Sequence, residues 1–304
     1  MREEVRSPRV AAEGRVSRGG AKFIGRLAFP FAAAILAAMI LGGCASTVAT
    51  GHAAPAFTPR AELPDDPFAL LDLAQRAFRA TGPIADVETS FAAAEKALAK
   101  EPKSDLARYF LARAAKWLLE FGKDLSTDRA RELAAKGLDA ATALVARDPD
   151  NAEYVFLHGA LQGYKMQHAT IPNPLGQKKI LESLRKAAKA DPWIDQGGPL
   201  RAVGAILFKS PPWPAGVGDV DDALDQLRQA VLLFPAHPAN RFYLGQALVA
   251  DRQKNAAKKE LEEVLRLCKD PRWGAVCETY LPKTEAELKS LGLAPSDPGG
   301  AADH

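Results

Sequence analysis

The sequence predicts an all-α protein in which helical hairpins stack into a solenoid. Ala and Leu recur at helical spacing through most of residues 67–268. Alternation with a period of two residues, which would indicate strands, never extends beyond a few positions. Helix endings of one form also recur along the chain. Together these observations predict a single solenoid domain of about ten to twelve helices.

The predicted helices follow one another with short breaks. They cover residues 67–80, 83–100, 104–121, 127–147, 151–169, 177–190, 197–208, 220–234, 238–252 and 255–268. Ser104 and Asp219 stand where helices begin and are predicted N-caps, because their side-chain oxygens can accept hydrogen bonds from the first turn. Thr284 and Glu287 form a capping-box pattern, which predicts a short final helix that ends near Gly292.

Four of these helices end in the same way. A small or apolar residue precedes a proline by five positions in Ala97…Pro102, Leu144…Pro149, Ala187…Pro192 and Ala230…Pro235. The prolines are separated by 47, 43 and 43 residues. Because a proline stops a helix, this period indicates a repeated unit of two helices with a loop. Stacked units of this kind form a solenoid.

The repeats resemble those of the tetratricopeptide repeat (TPR) family. Ala223-x3-Leu227-x2-Ala230-x4-Pro235 is similar to the second helix of a TPR. The pattern Leu244-Gly245-x2-Leu248-x8-Ala257-x3-Leu261-x2-Val264 follows a whole repeat, and residues 148–153 resemble the turn between repeats. The resemblance spans most of residues 84–270 and implies a TPR-like fold. The first helices match less well, and the distance from Gly204 to Ala223 is seven residues longer than in the family.

The extra residues lie in a proline-rich loop, residues 209–219, that carries Trp213. Gly197-Gly198-x2-Arg201-x2-Gly204 precedes this loop, and Pro238-Ala239-Asn240 follows it. In this order the segment resembles the T-component lipoproteins associated with tripartite ATP-independent periplasmic (TRAP) transporters. The resemblance covers roughly residues 195–250. It implies a helical-repeat protein of the outer membrane that assists periplasmic solute uptake.

The N-terminus has the form of a bacterial lipoprotein signal peptide over residues 1–43. Basic residues up to Arg26 are followed by an uncharged run of 17 residues, Leu27–Gly43, and then by Cys44. Leu41-Gly42-Gly43-Cys44 resembles a lipobox, which implies cleavage before Cys44 and attachment of fatty acyl chains such as palmitate to its thiol. Ala45 after the cysteine implies sorting to the outer membrane, facing the periplasm. The alternative is an uncleaved membrane helix, because 17 apolar residues are barely long enough to span a bilayer.

The remaining chain divides into three predicted parts. Residues 44–66 are expected to form a flexible lipid-attached tether, residues 67–292 the solenoid, and residues 293–304 a disordered tail. The formal charge of the whole chain is +3, but seven basic and three acidic residues belong to the leader. The mature chain therefore has no basic excess, which argues against nucleic acid as a partner. Cys268 and Cys277 are the two cysteines besides Cys44, and in an oxidising compartment they are expected to form a disulfide rather than remain buried thiols.

Candidate binding residues are polar or aromatic side chains on the predicted concave face and in the loop. They are Arg201, Trp213, Asp219, Asn240, Tyr243, Tyr154 and Tyr164. Arg201 lies between glycines, so it can meet either an anionic ligand or a carboxylate of the protein itself. Trp213 either packs on the solenoid or forms the wall of a cleft. His158 and His168 are too far apart on one helix to share a metal ion.

The sequence predicts a binding protein, not an enzyme, and no cofactor or metal is expected. His-Glu-x-x-His, a phosphate-binding loop and Gly-x-Ser-x-Gly do not occur in the sequence. The leading hypothesis is a membrane-anchored component of an envelope transport system. It handles a small solute or binds another envelope protein, such as a periplasmic solute-binding protein. The alternative is a scaffold for envelope protein assembly that binds peptide segments. A hydrolase is a third, weaker hypothesis.

Overall fold

The computed structural model describes residues 62–79, 82–167 and 173–292. These residues form eleven α-helices and no strand, which confirms the predicted fold class and the single domain. The helices are α1 (Pro67–Ala77), α2 (Ile84–Lys100), α3 (Asp105–Phe121), α4 (Thr127–Arg147), α5 (Ala152–Gln167), α6 (Pro174–Ala190), α7 (Gly198–Lys209), α8 (Val220–Leu233), α9 (Pro238–Ala250), α10 (Lys254–Leu267) and α11 (Gly274–Ser290). No helix in these ranges is long and apolar enough to cross a membrane.

The four repeated helix endings share one backbone arrangement. The residue just before each proline is the C-cap, and its N–H donates to the carbonyl four positions earlier. These bonds join Glu101 to Ala97, Asp148 to Leu144, Asp191 to Ala187 and Phe234 to Ala230. The residue before a proline is disfavoured in the helical conformation, so each helix ends at that point. The spacing read from the sequence is therefore the spacing of a real helix terminus.

Consecutive helices pack as antiparallel hairpins, α1/α2 through α9/α10, and small residues allow the closest approaches. A Cβ added at Gly204 on α7 would lie 2.5 Å from Cγ of Leu227 on α8. Gly245 on α9 meets Leu261 on α10 in the same way. These glycines occupy corresponding positions in successive hairpins, so the absence of a side chain sets the distance between the two helices.

The prediction of a short final helix beginning near Thr284 is wrong. Helix α11 begins ten residues earlier, at Gly274, and Thr284 lies in its interior. The Thr284 side chain is buried, and its hydroxyl donates to the Tyr280 carbonyl over 2.7 Å instead of capping a terminus. Pro282 lies inside the same helix on its exposed side, where the missing N–H is tolerated.

Helix α11 closes the interior of the solenoid, because it packs against α3 as well as against α9 and α10. The Thr279 hydroxyl donates to the Phe121 carbonyl of α3 over 3.0 Å, across 158 positions of the chain. The ring of Tyr280 lies 6.1 Å from that of Phe121 and 5.0 Å from that of Phe242 on α9. Helices α3, α5, α7, α9 and α11 consequently surround a common interior.

Candidate functional site

Four charged residues, Lys116, Glu120, Asp195 and Arg201, form one cluster in this interior, here called the charged quartet. Arg201 Nε donates to Glu120 Oε1 over 3.1 Å, and Arg201 Nη2 lies 3.4 Å from Asp195 Oδ2. Lys116 Nζ lies 2.5 Å from Glu120 Oε2 and also pairs with Asp195. The side chains of Lys116, Glu120 and Arg201 are at most 6% exposed. The Asp195 side chain is 25% exposed, so two cations and two carboxylates neutralise one another with only one of them partly open to water.

Local structure explains how the quartet is assembled. Lys116 and Glu120 are four positions apart on α3 and so lie on one face of it. Asp195, Gln196 and Gly197 adopt left-handed backbone conformations in succession, with φ of 49°, 50° and 86°. This conformation is unfavourable for residues other than glycine, so the turn is held by the surrounding contacts. The turn places the Asp195 carboxylate beside Lys116 and Arg201.

The Asn240 side chain binds the guanidinium of Arg201. Its Oδ1 accepts a hydrogen bond from Arg201 Nη1 over 2.8 Å, and its Nδ2 donates to the carbonyls of Gln196 and Ala230, 3.0 and 3.3 Å away. The side chain is fully buried. Asn240 therefore links α7, α8, α9 and the left-handed turn through one amide group.

The pKa shifts follow from burial and from the opposite charges. Burial opposes ionisation of Asp195, but Lys116 and Arg201 outweigh it and lower the pKa to about 2. Burial also works against the charge of Lys116, whose pKa is nevertheless raised by Asp195 and Glu120. Burial and the nearby Arg201 hold the pKa of His237 well below its ordinary value, so His237 is neutral at pH 7. At pH 7 Asp195 and Lys116 are therefore charged, whereas the neighbouring His237 is neutral.

A cavity of about 500 Å³ opens beside the quartet. Its polar end includes Lys116, Glu120, Arg201, Tyr164 and Tyr243. Its apolar wall comes from α5, α6 and α7 and consists chiefly of Phe156, Ala160, Ile180, Leu184, Ala202 and Ile206. Volumes of roughly 300–1,000 Å³ with mostly apolar walls and a few convergent polar groups are typical of small-molecule sites.

A second cavity, of about 410 Å³, lies between α9 and α11. Lys209 and Tyr243 line both cavities. The Lys209 ammonium lies 4.9 Å from the centre of the Tyr243 ring. Lys283, Gln246 and Glu287 belong to the second cavity. Lys209 and Tyr243 thus mark the border between the two spaces.

The structure brings some of the predicted binding residues together and separates others. Arg201, Tyr164 and Tyr243 line the larger cavity, whereas Asn240 supports Arg201 from outside the wall. Tyr154 is absent from both cavity walls, and its ring lies 6.3 Å from that of Tyr109.

The proline-rich loop contributes to the cavity through its first residues, not through its tryptophan. Ser210 and Pro211 line the wall, but Trp213 is 84% exposed and lies in neither cavity wall. Asp219 ends the loop as the N-cap of α8, where Oδ1 accepts from the Asp222 N–H over 3.1 Å. A role for Trp213 or Asp219 in binding a partner stays a prediction.

Several site residues were missed in the sequence. Lys116 and Glu120 had a usable signal, because their spacing puts two charges on a helix face that is otherwise rich in Ala and Leu. Lys209 had a weaker signal, as the basic residue with which the proline-rich loop begins. Asp195 had no signal in the sequence, because its position depends on a left-handed turn that no sequence pattern predicted.

The cysteines and histidines are placed as follows. Cys268 and Cys277 form a disulfide that joins the end of α10 to α11. His158 is half-buried, with Nε2 3.3 Å from the Gln162 amide nitrogen. Cys44 and His168 lie outside the described residues. Within the described ranges, no group of three or more His, Cys, Asp or Glu side chains could hold a metal ion.

Comparisons with known proteins bear on the fold. No protein-family model matches the chain, and no curated protein matches it. The chain is similar to a thermophilic TPR protein from Thermus thermophilus, with 18% identity and a TM-score of 0.53 over 74% of this chain and 98% of that one. YrrB, a TPR protein with an unusual peptide-binding site, shows 15% identity and a TM-score of 0.40 over 70% of this chain and 92% of YrrB. The first of these likenesses shows that the chain has a TPR-like fold, as the sequence predicted.

Proposed function

We propose that the protein is a lipid-anchored binding component of the cell envelope that holds a small amphipathic solute in the larger cavity. The observation that carries the proposal is the cavity itself, about 500 Å³ in volume, with apolar walls and a buried charged end. A ligand with an apolar body and a polar head would bury both parts against matching surfaces. Binding, not turnover, is the proposed activity.

The wider role follows from the N-terminal sequence. A lipobox at Cys44 would place the domain on a short tether at the membrane, with three acyl chains as a firm anchor. The segment around residues 195–250 resembles the TRAP-associated T components, and the residues of this segment include Arg201 and Lys209 of the cavity wall. We therefore propose action beside a periplasmic solute-binding protein in solute uptake.

The form of the larger cavity favours a solute over the peptide scaffold. An extended peptide needs a groove that is open along its length. Here residues of α3, α5, α6, α7 and α9 converge on a pocket of about 500 Å³. A compact ligand suits this geometry better.

Gly163 on α5 offers a direct test. It lines the cavity, and a Cβ added there would have no described atom within 4 Å. Gly163→Leu should therefore fill part of the cavity while improving helix propensity by about 1 kcal/mol. Calorimetric titration of 1-octanol into the full-length protein in phospholipid nanodiscs, corrected for empty nanodiscs, should show binding to the wild type and at least tenfold weaker binding to Gly163→Leu.

Ala146→Leu on the exposed side of α4 is the matched control and should bind 1-octanol as the wild type does. Absence of binding to the wild type, or equal binding to Gly163→Leu at an unchanged melting temperature, would refute the cavity as a solute site.

A further inference from the structure

The buried cations of the quartet have hydrogen-bond donors that the protein does not use. A guanidinium has five N–H donors and an ammonium has three. Arg201 directs one donor each to Glu120, Asn240 and Asp195. Lys116 donates a hydrogen bond to Asp195 and forms an ion pair with Glu120. Two guanidinium N–H groups therefore form no hydrogen bond with a described residue, and at least one ammonium N–H is directed at neither carboxylate. Both side chains line the larger cavity.

Lys209 adds a positive charge that the quartet does not balance. The charges of the quartet cancel, and no carboxylate of a described residue lies within ion-pair distance of Lys209. Its ammonium stands over the Tyr243 ring, at the border of the two cavities. Lys209 is exposed at the mouth of the cavity, and partial desolvation together with repulsion by Lys283 lowers its pKa.

The other charged groups around Lys209 leave one unit of positive charge. Lys283 and Glu287 both line the second cavity and carry opposite charges. Glu287 accepts a hydrogen bond from Gln246 over 3.4 Å and makes no ion pair with either lysine. With the quartet neutral, the described charged residues of the two cavity walls therefore carry one net positive charge, to which both Lys209 and Lys283 contribute.

We infer that Lys209, together with the unused donors of Arg201 and Lys116, forms a subsite for the monoanionic head group of an amphipathic solute. The inference rests on the proposed function and specifies its ligand. A carboxylate or sulfonate accepts several hydrogen bonds with one negative charge, which matches several free donors and one net positive charge. The apolar body of the ligand then lies against Phe156, Ile180 and Leu184.

The experiment compares head groups on one eight-carbon chain. Octanoate, octanesulfonate, 1-octanol and octylammonium are titrated into the full-length protein in nanodiscs, with empty nanodiscs as the blank. Wild type should bind octanoate about ten times more tightly than 1-octanol, because a charged hydrogen bond is stronger than a neutral one. Octylammonium should bind most weakly. Octanesulfonate as tight as octanoate indicates a general monoanion site, and a weaker sulfonate indicates selection for carboxylate.

Lys209→Gln should weaken octanoate binding about tenfold and leave 1-octanol binding unchanged. Lys103→Gln, at an exposed lysine in the turn before α3, should change neither. Equal binding of octanoate and 1-octanol, or an unchanged octanoate affinity in Lys209→Gln, overturns the anionic subsite while the cavity proposal stands. Failure of every ligand to bind refutes the proposed function itself.

Discussion

Arg201 on α7 donates a hydrogen bond from Nε to Oε1 of Glu120 on α3 over 3.1 Å, across 81 positions of the chain. Both side chains are almost completely buried. Because Asn240 on α9 holds the other side of the guanidinium, this pair connects three of the helices that surround the interior. The same contact thus supports the fold and shapes the polar end of the cavity.

Arg201→Met should destabilise the protein by about 3–5 kcal/mol, because it leaves the buried Glu120 and the partly buried Asp195 with Lys116 as their one cation in the quartet. Urea unfolding at pH 7, followed by far-UV circular dichroism, measures the change. Arg228→Met is the control. Its partner Asp225 lies 3.8 Å away in an exposed pair, so a loss of less than about 1 kcal/mol is expected. Equal losses in the two variants would contradict a structural role for the quartet.

The double variant Arg201→Met/Glu120→Gln tests the pairing itself. It removes one cation and one carboxylate, so Lys116 and Asp195 remain as a balanced pair. We expect a loss of stability smaller than the sum of the two single losses by about 1–3 kcal/mol. Strict additivity in the same unfolding experiment would show that the two residues do not interact.

Gly204 and Gly163 should respond oppositely to the same change. A Cβ at Gly204 would lie 2.5 Å from Leu227 Cγ, so Gly204→Ala should cost about 1–3 kcal/mol through overpacking. At Gly163 the added Cβ meets no described atom within 4 Å, and Gly163→Ala should stabilise α5 by up to about 1 kcal/mol. Melting temperatures that shift in one direction for both variants would argue against the close contact of α7 with α8.

The repeat architecture could be predicted because its signals are local. The Ala97…Pro102 spacing and its three counterparts report a backbone hydrogen bond followed by a proline, and both lie within six residues. The start of the final helix was predicted wrongly because the prediction used only a local signal. Thr284 and Glu287 satisfy a local capping rule, but Thr284 is buried inside a helix that packs against α3 and α9, and tertiary packing overrides the local preference.

The site could be predicted only in part. Arg201, Tyr164 and Tyr243 were named because cations and aromatic residues on repeat helices suggest a binding face, and all three line the larger cavity. The acidic partners of Arg201 could not be named, because Glu120 lies 81 positions away and Asp195 reaches the guanidinium through a strained turn. Pairing across such distances is a property of the folded chain.

Acid should weaken the fold through Asp195. Its pKa is about 2 in the folded protein, below the ordinary 3.8, so the unfolded chain binds the proton first as the pH falls. The stabilisation is complete above about pH 4 and disappears between about pH 4 and 2, with a magnitude on the order of 2 kcal/mol. Urea unfolding at pH 5 and at pH 2.5 should show a smaller pH-dependent loss in Asp195→Asn than in the wild type. Parallel losses in the two proteins would contradict this assignment.

Lipid attachment at Cys44 gives a prediction that does not depend on the described residues. Radiolabelled palmitate should enter the wild-type protein in its native bacterial host, and Cys44→Ser should abolish the labelling, because the thiol is the attachment point of a lipobox. A Cys268→Ser/Cys277→Ser variant is the control and should be labelled as the wild type is. Labelling that survives Cys44→Ser would remove the proposed anchor.

The disulfide between Cys268 and Cys277 should stabilise the closure of the interior by α11. It joins residues nine positions apart, and the loss of loop entropy in the unfolded chain predicts a contribution of about 2–3 kcal/mol. Dithiothreitol should therefore lower the melting temperature of the wild type by several degrees and leave Cys268→Ser/Cys277→Ser unchanged. Because Cys277 lies in α11, reduction should also increase hydrogen exchange in α11 before it does so in α3. Equal exchange in the two helices after reduction would show that the bond does not hold α11 in place.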